Sequence, residues 1–98
     1  MAQKTINKPT ADPVVFPLNH KTWTEPFATI QNNTSDALTV DVTNMNIQTT
    51  PAGSVVWSAV PSGPLSIPAG DIGELVGPFE AARFSGAGTG DIDIVEAQ

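Results

Sequence analysis

Hydrophobic and polar residues alternate with a period of two along much of this chain. The clearest example is residues 38–43, where leucine or valine at every second position is separated by threonine or aspartate. Such alternation is typical of a β-strand with one buried face. Ala28 and Ile30 alternate in the same way, and the polar run 32–36 is rich in turn formers. Residues 27–32 and 38–43 are therefore predicted to pair as a hairpin.

The other apolar segments are short and are separated by glycine and proline. They predict strands at 55–60, with Trp57 in the core among valines, and at 65–67, 72–77 and 78–84. Residues 85–90 are too glycine-rich for a strand and predict a mobile turn or an adaptable contact loop. In the last strand, Ile92 and Ile94 point inward, while Asp91 and Asp93 point outward. Because no segment has a helical apolar stripe, we expect an all-β fold, a small β-sandwich or barrel of seven to eight short strands.

Residues 1–22 differ from the rest because they contain three prolines and little alternation. Proline removes a backbone donor and disfavours helix before it. We interpret residues 1–22 as an extended N-terminal arm and residues 23–98 as the β-sandwich body, with a floppy terminus as the alternative. The apolar residues of the arm have no obvious local use, and Trp23 could plug either the base of the body or a pocket of a partner. The predicted partner-binding residues are Val14, Val15, Phe16, Leu18 and Trp23.

The net charge of −6 is unevenly distributed. Residues 1–21 carry three lysines and one aspartate, whereas residues 22–98 carry one arginine and nine carboxylates. An acidic body repels phosphate backbones, so direct binding to nucleic acid is not expected. The N-terminus lacks a long apolar run, which predicts no signal peptide, no membrane span and a cytosolic origin.

Groups that carry chemistry are scarce in this sequence. It has no cysteine and no tyrosine, and its one histidine, His20, lies in the proline-rich segment. Asp91 and Asp93 share a strand face and could hold Ca²⁺ together with Asp71 or Glu96. The spacing lacks a known calcium loop, however, and a solvated face that resists edge pairing is the favoured interpretation. We therefore predict no catalytic residues, no cofactor and no metal.

A succession of short motifs in the second half resembles a known group of proteins. Residues 63–70 read GPLSIPAG, and GPF at 77–79, RFSG at 83–86 and GTGDIDI at 88–94 follow. This succession resembles small β-sandwich structural proteins of tailed bacteriophage virions, over roughly residues 30–97. The resemblance implies a virion component such as a capsid decoration (cement) protein, or an accessory module of a tail or fibre. It carries no catalytic residues.

These observations together predict a non-enzymatic virion structural protein. The expected function is capsid decoration, in which the β-body and the arm bind and stabilise the phage head. The expected partner is the major capsid protein or another virion protein, and cyclic association into a homo-oligomer such as a trimer would protect sheet edges. The protein would be assembled in the host cytoplasm and lie on the capsid surface. The alternative is a β-sandwich module of a phage tail or fibre that binds carbohydrate or protein.

Overall fold

Two antiparallel β-sheets face each other across one hydrophobic core. The computed structural model describes residues 2–18, 27–61, 63–76 and 79–96. Within these residues nine strands form, and a single 3-10 turn spans Ala52–Ser54: β1 (Ala2–Lys8), β2 (Val14–Pro17), β3 (Phe27–Thr34), β4 (Leu38–Thr43), β5 (Ser58–Ala59), β6 (Leu65–Ile67), β7 (Ile72–Val76), β8 (Ala81–Ser85) and β9 (Gly90–Glu96). The prediction of an all-β sandwich-like fold is confirmed. The strand count exceeds seven to eight because the N-terminal segment contributes two strands.

The strands are divided between the sheets so that chain neighbours often lie in different layers. Sheet 1 has the order β1-β9-β3-β7. Sheet 2 has the order β2-β8-β4, and the short strands β5 and β6 lie one after the other along the remaining side of β4. In sheet 1, β1 pairs with β9 over its whole length, from Ala2 opposite Glu96 to Lys8 opposite Gly90.

The period of two in the sequence correctly predicts which side chains form the core. Val40 in β4 is 1% exposed, and Ile92 and Ile94 in β9 have no exposed surface, whereas their neighbour Asp91 is exposed. Phe84 in β8 is also completely buried. Burying one such large apolar side chain stabilises the fold by roughly 1.5–3 kcal/mol.

The prediction of an N-terminal arm is wrong for the residues that the structure describes. β1 pairs with β9 and β2 pairs with β8, so this segment supplies an edge strand to each sheet. Phe16 is only 4% exposed and belongs to the core. The prolines misled the interpretation because Pro9 and Pro13 lie between the strands and Pro17 ends β2, where a missing donor is tolerated. The predicted boundary at 22/23 lies outside the described residues.

The predicted hairpin of residues 27–32 and 38–43 is also wrong, because β3 lies in sheet 1 and β4 in sheet 2. The polar run between them is partly interior. Asn32 is completely buried, and its Nδ2 donates to the carbonyl oxygens of Asp36 and Ile67, both at 2.8 Å. Its Oδ1 accepts from the backbone N–H of Thr34 at 2.9 Å. A residue interpreted as a turn former therefore ties the end of β3 to the opposite sheet.

The glycine-rich segment 85–90 is packed tightly, which contradicts its prediction as an adaptable loop. A Cβ atom on Gly88 would lie 2.5 Å from the backbone nitrogen of Asp36, and one on Gly86 would collide with the carbonyl oxygen of Ala37. Gly90 has a φ of +136°, and a Cβ atom on it would lie 2.8 Å from the carbonyl oxygen of Asn33 in β3. The glycines are required because two backbone segments approach more closely than any side chain allows.

Lys8 closes this end of the sandwich. The residue is 0% exposed, and its Nζ donates to the carbonyl oxygens of Thr10, Gly86 and Gly88. The bonds to Thr10 and Gly88 measure 2.8 Å. An ammonium group has three donors, and three main-chain acceptors use all of them. The last residue of β1 thus holds the glycine-rich segment in place.

Candidate partner-binding edge

The structure gives most of the predicted partner-binding residues a place within the protein itself. Phe16 is in the core, and Val14 and Leu18 pack against it. Val15 on the outer face of β2 is 46% exposed. Trp23 lies outside the described residues, as does His20. The prediction that this apolar cluster lacks a local use is therefore wrong for Val14, Phe16 and Leu18, and partner binding by Val15 stays a prediction.

The outer face of sheet 1 carries the carboxylates that the sequence suggested as cation ligands. Asp91 accepts from Nδ2 of Asn7 at 3.0 Å, and Asp93 accepts from Oγ1 of Thr5 at 2.5 Å and Nδ2 of Asn33 at 2.9 Å. These bonds join β9 to its two neighbours. Because β9 is an interior strand, its aspartates do not guard a sheet edge as predicted. Among the described residues, no three His, Cys, Asp or Glu side chains are grouped closely enough to hold a metal ion.

On the outer face of sheet 2, Arg83 is held between an acid and an aromatic ring. Its guanidinium donates to Oδ2 of Asp41 at 3.0 Å and lies 5.1 Å from the centre of the Trp57 ring. Trp57 is partly buried and is not part of the core cluster, which contradicts its predicted core position. The predicted strand 55–60 is reduced to Ser58–Ala59, and residues 55–57 are not in a strand.

A groove of about 390 Å³ lies at one end of sheet 2. Its lining includes Val42, Met45, Val56 and Phe79, and Val56 is 67% exposed at its rim. None of the lining residues is acidic, basic or a histidine. The groove is therefore a recess with apolar walls and three uncharged polar residues, Thr43, Asn44 and Ser58.

Three of the four sheet edges carry features that oppose pairing with another strand. On β1, Lys8 is buried, and the exposed Lys4 lies on the same inward-facing side of the strand, with its Nζ 6.0 Å from the centre of the Phe16 ring. β2 has four residues and is flanked or ended by proline, and β5 and β6 have two and three residues. Inward-pointing charges, prolines and short strands are the devices by which natural sheets avoid edge-to-edge association.

The fourth edge, β7, lacks such devices. It spans five residues, Ile72–Val76, and contains neither proline nor lysine. Its outer face presents Ile72 and Val76, which are 62% and 58% exposed, with the exposed Glu74 between them. Two large apolar side chains thus remain in water beside an edge whose one charged side chain is Glu74.

The backbone of β7 alternates between bonding β3 and facing outward. Asn32 donates to the carbonyl oxygen of Asp71 at 3.0 Å, and the same register continues along β3 and β7. Bonded pairs alternate in an antiparallel ladder, so Gly73 and Leu75 bond β3. The N–H and C=O groups of Ile72, Glu74 and Val76 therefore point away from sheet 1. Among the described strands, β7 pairs with β3 alone.

The packing behind β7 fixes its inner side. A Cβ atom on Gly73 would lie 2.7 Å from Cγ1 and 2.8 Å from Cδ1 of Ile67, so β6 of the other sheet lies directly against this glycine. Leu75 is 1% exposed and belongs to the core. The inward residues Gly73 and Leu75 are thus packed against the rest of the protein, and the outward residues Ile72, Glu74 and Val76 face solvent.

The sequence contained one signal for this site. Ile72, Glu74 and Val76 share one parity, and the inward position between the first two is a glycine. That pattern predicts a strand, but it does not distinguish an edge from an interior strand, because the distinction depends on which strands lie beside it.

Comparisons with known proteins give no relative from which a function could be transferred. No protein-family model matches the chain, and no curated protein or solved structure is significantly similar to it. Within the described residues, no helix has the length and apolar character needed to cross a membrane.

Proposed function

We propose that this protein is a non-enzymatic structural component of a phage virion, a decoration protein that binds the capsid surface. The observation that carries the proposal is the open edge of β7, where Ile72 and Val76 remain exposed beside outward-facing backbone groups. Such an edge binds a protein partner through main-chain hydrogen bonds and side-chain contacts. The proposed binding surface therefore lies on the body and not on the predicted N-terminal arm.

The polar groups of the described residues support a structural role. Lys8 and Asn32 hold one end of the sandwich together, Arg83 pairs with Asp41, and Asp91 and Asp93 bond neighbouring strands. The groove at the end of sheet 2 offers apolar contacts. A rigid body in which Lys8, Arg83, Asp91 and Asp93 are engaged in internal bonds is suited to gripping a surface.

Decoration of a capsid is also compatible with the small contact area that the edge of β7 can offer to a partner. A single edge of five residues supports a modest affinity, since specific stable interfaces bury considerably more surface. A capsid presents many identical sites. If several copies associate around a symmetry axis, weak contacts combine and the bound state becomes stable through avidity.

The direct experiment is co-sedimentation of the purified protein with capsids assembled without it. We expect saturable binding at a fixed number of copies per capsid and a higher melting temperature of the decorated particle. A protein of similar size and charge serves as the control for trapping in the pellet. The absence of saturable binding would refute the proposal, and binding to glycans without binding to capsids would favour the tail or fibre module.

A further inference from the structure

We infer that β7 accepts an extended segment of a partner protein as a fifth strand of sheet 1, and that this segment carries a basic residue between two apolar ones. The identification of the partner as a virion protein depends on the proposed function. The chemistry of the segment does not, because it follows from β7 alone.

The backbone of β7 defines the geometry of the added strand. The N–H and C=O groups of three alternate residues, Ile72, Glu74 and Val76, face away from β3. An extended chain laid along this edge can bond all of them, as in other cases of strand addition to an open sheet. Sheet 1 would then continue beyond β7 without any change in the strands already present.

The side chains of β7 define the sequence of the added strand. Ile72, Glu74 and Val76 lie on the outer face, so the residues opposite them lie on the same face at every second position. Ile72 and Val76 favour apolar, β-branched neighbours. Glu74 favours lysine or arginine, and the net charge of −6 attracts a basic segment from a distance. The complementary pattern is apolar–x–basic–x–apolar, and it is the same in both strand directions.

The same charge argues against a second copy of this chain as the partner. A two-fold pairing of β7 with itself that uses all the outward groups places Glu74 directly opposite Glu74 of the other copy. Carboxylates opposite each other in a ladder are destabilising. If one copy is shifted by two residues along the other, the two Glu74 side chains no longer face each other. That register has one fewer hydrogen-bonded residue pair, and it places each Glu74 opposite an apolar residue of the other copy.

The inference can be tested with a capped heptapeptide of sequence Thr-Val-Thr-Arg-Thr-Val-Thr and a matched peptide with Glu in place of Arg. We expect the Arg peptide to shift the amide resonances of residues 72–76 and to bind about fivefold more tightly than the Glu peptide. The variant Glu74→Lys should reverse that preference. Asp12→Lys is the matched control, since Asp12 is exposed and the variant changes the net charge equally.

Apolar contacts are tested in the same assay. The double variant Ile72→Thr with Val76→Thr should weaken binding of the Arg peptide at least tenfold, by the loss of two apolar contacts. Val15→Thr is the control, because Val15 is also an exposed valine on an edge strand but lies on β2. Equal weakening by Val15→Thr, or resonance shifts outside β7 and its neighbours, would overturn the inference.

A backbone variant separates strand addition from simple side-chain contact. Glu74→Pro removes a donor that faces outward and leaves the bonds of Gly73 and Leu75 to β3. We expect it to lower peptide affinity more than Glu74→Gln does, while urea titration confirms that the variant is folded. If both variants bind alike, the contact is not an added strand. If Glu74→Pro does not fold, Glu74→Lys and the paired peptides still decide the question.

The capsid assay distinguishes this inference from the proposed function. If wild-type protein binds capsids and the β7 variants bind equally well, the β7 inference is wrong and the decoration proposal stands. If the Arg peptide binds β7 but the protein does not bind capsids, the decoration proposal is wrong, and the inference that β7 accepts a strand with a basic residue between two apolar ones is still supported. Concentration-dependent dimers that Ile72→Thr with Val76→Thr abolishes would assign the edge to a second copy and overturn the inference.

Discussion

Replacing Lys8 with methionine should strongly destabilise the protein, although the change removes a buried charge. Lys8→Met keeps the length and apolar stem of the side chain and removes its ammonium group. The carbonyl oxygens of Thr10, Gly86 and Gly88 then lose their donor. They belong to the β1–β2 connection and to the tight glycine-rich segment, so the variant tests whether these segments depend on one side chain.

The expected loss of stability in Lys8→Met follows from how deeply each of its three hydrogen bonds is buried. The bond to Gly88 is buried, and leaving its acceptor without a partner costs about 1–3 kcal/mol. The bonds to Thr10 and Gly86 are partly buried, so water can replace part of each. Burying an ammonium costs several kcal/mol, but three charge-assisted bonds offset that cost in the folded protein. We expect a net loss of about 2–4 kcal/mol in the free energy of unfolding.

Urea titration with linear extrapolation measures this loss, and Lys4→Met is the matched control. Lys4 lies on the same strand but is exposed, and its ammonium lies 6.0 Å from the centre of the Phe16 ring, so we expect a loss below about 1 kcal/mol. For a domain of this size, the Lys8 variant should melt roughly 10–25 °C lower. Equal stability of the two variants would show that the ammonium of Lys8 does not hold the glycine-rich segment.

Three further variants test other parts of the fold. Gly88→Ala should cost about 1–3 kcal/mol because its Cβ would lie 2.5 Å from a backbone nitrogen, whereas Gly53→Ala, with open space around it, should change stability by less than about 0.5 kcal/mol in the same urea titration. Trp57→Ala should cost about 1–2 kcal/mol, less than a core aromatic, and a loss above 3 kcal/mol would show that Trp57 is a core residue after all. Deletion of residues 1–17 removes β1, β2 and the core side chain of Phe16, so circular dichroism should show no cooperative melting; a sharp transition would show that the body folds alone.

The sequence predicted the class of the fold and the inward faces of its clearest strands, because those depend on local alternation. Val40 and Val42, or Ile92 and Ile94, face inward wherever their strands lie in the sandwich. The pairing of strands depends on distant residues and was not accessible in this way. Asn32 illustrates the difference, since a buried asparagine with partners in the opposite sheet has the same local sequence as one in a hairpin turn.

The prediction that the N-terminal segment is an extended arm is wrong for a related physical reason. Lys4 and Lys8 occupy the inward positions of β1, so the segment lacks the apolar alternation that identifies other strands. Lys8 is acceptable there because three carbonyl oxygens surround its ammonium. The local sequence around Lys8 does not predict these carbonyl acceptors, because two of them lie about eighty residues away in the sequence.

The candidate site was predictable only in part. The exposed alternation of Ile72, Glu74 and Val76 is visible in the sequence, but its importance depends on β7 being an edge strand. The predicted binding role of the cluster around Phe16 depends on the cluster having no local partner, and the structure supplies one in the core. Exposure of an apolar residue is therefore informative only after the topology is known.

The polar contacts at the end of the sandwich also bear on the function of β7, because they fix where that strand begins. The backbone of Asn32 donates to Asp71 at 3.0 Å and accepts from Gly70 at 2.7 Å, immediately before β7, while Ile67 packs against Gly73. Because β3 beside it and Ile67 behind it hold β7 in place, the strand is already in the conformation that an incoming strand requires, and less conformational entropy is lost when the two pair. The other three edges are blocked by lysines, prolines or short length. Protection of those edges confines strand addition to one place, and Glu74 then selects among the segments that could bind there.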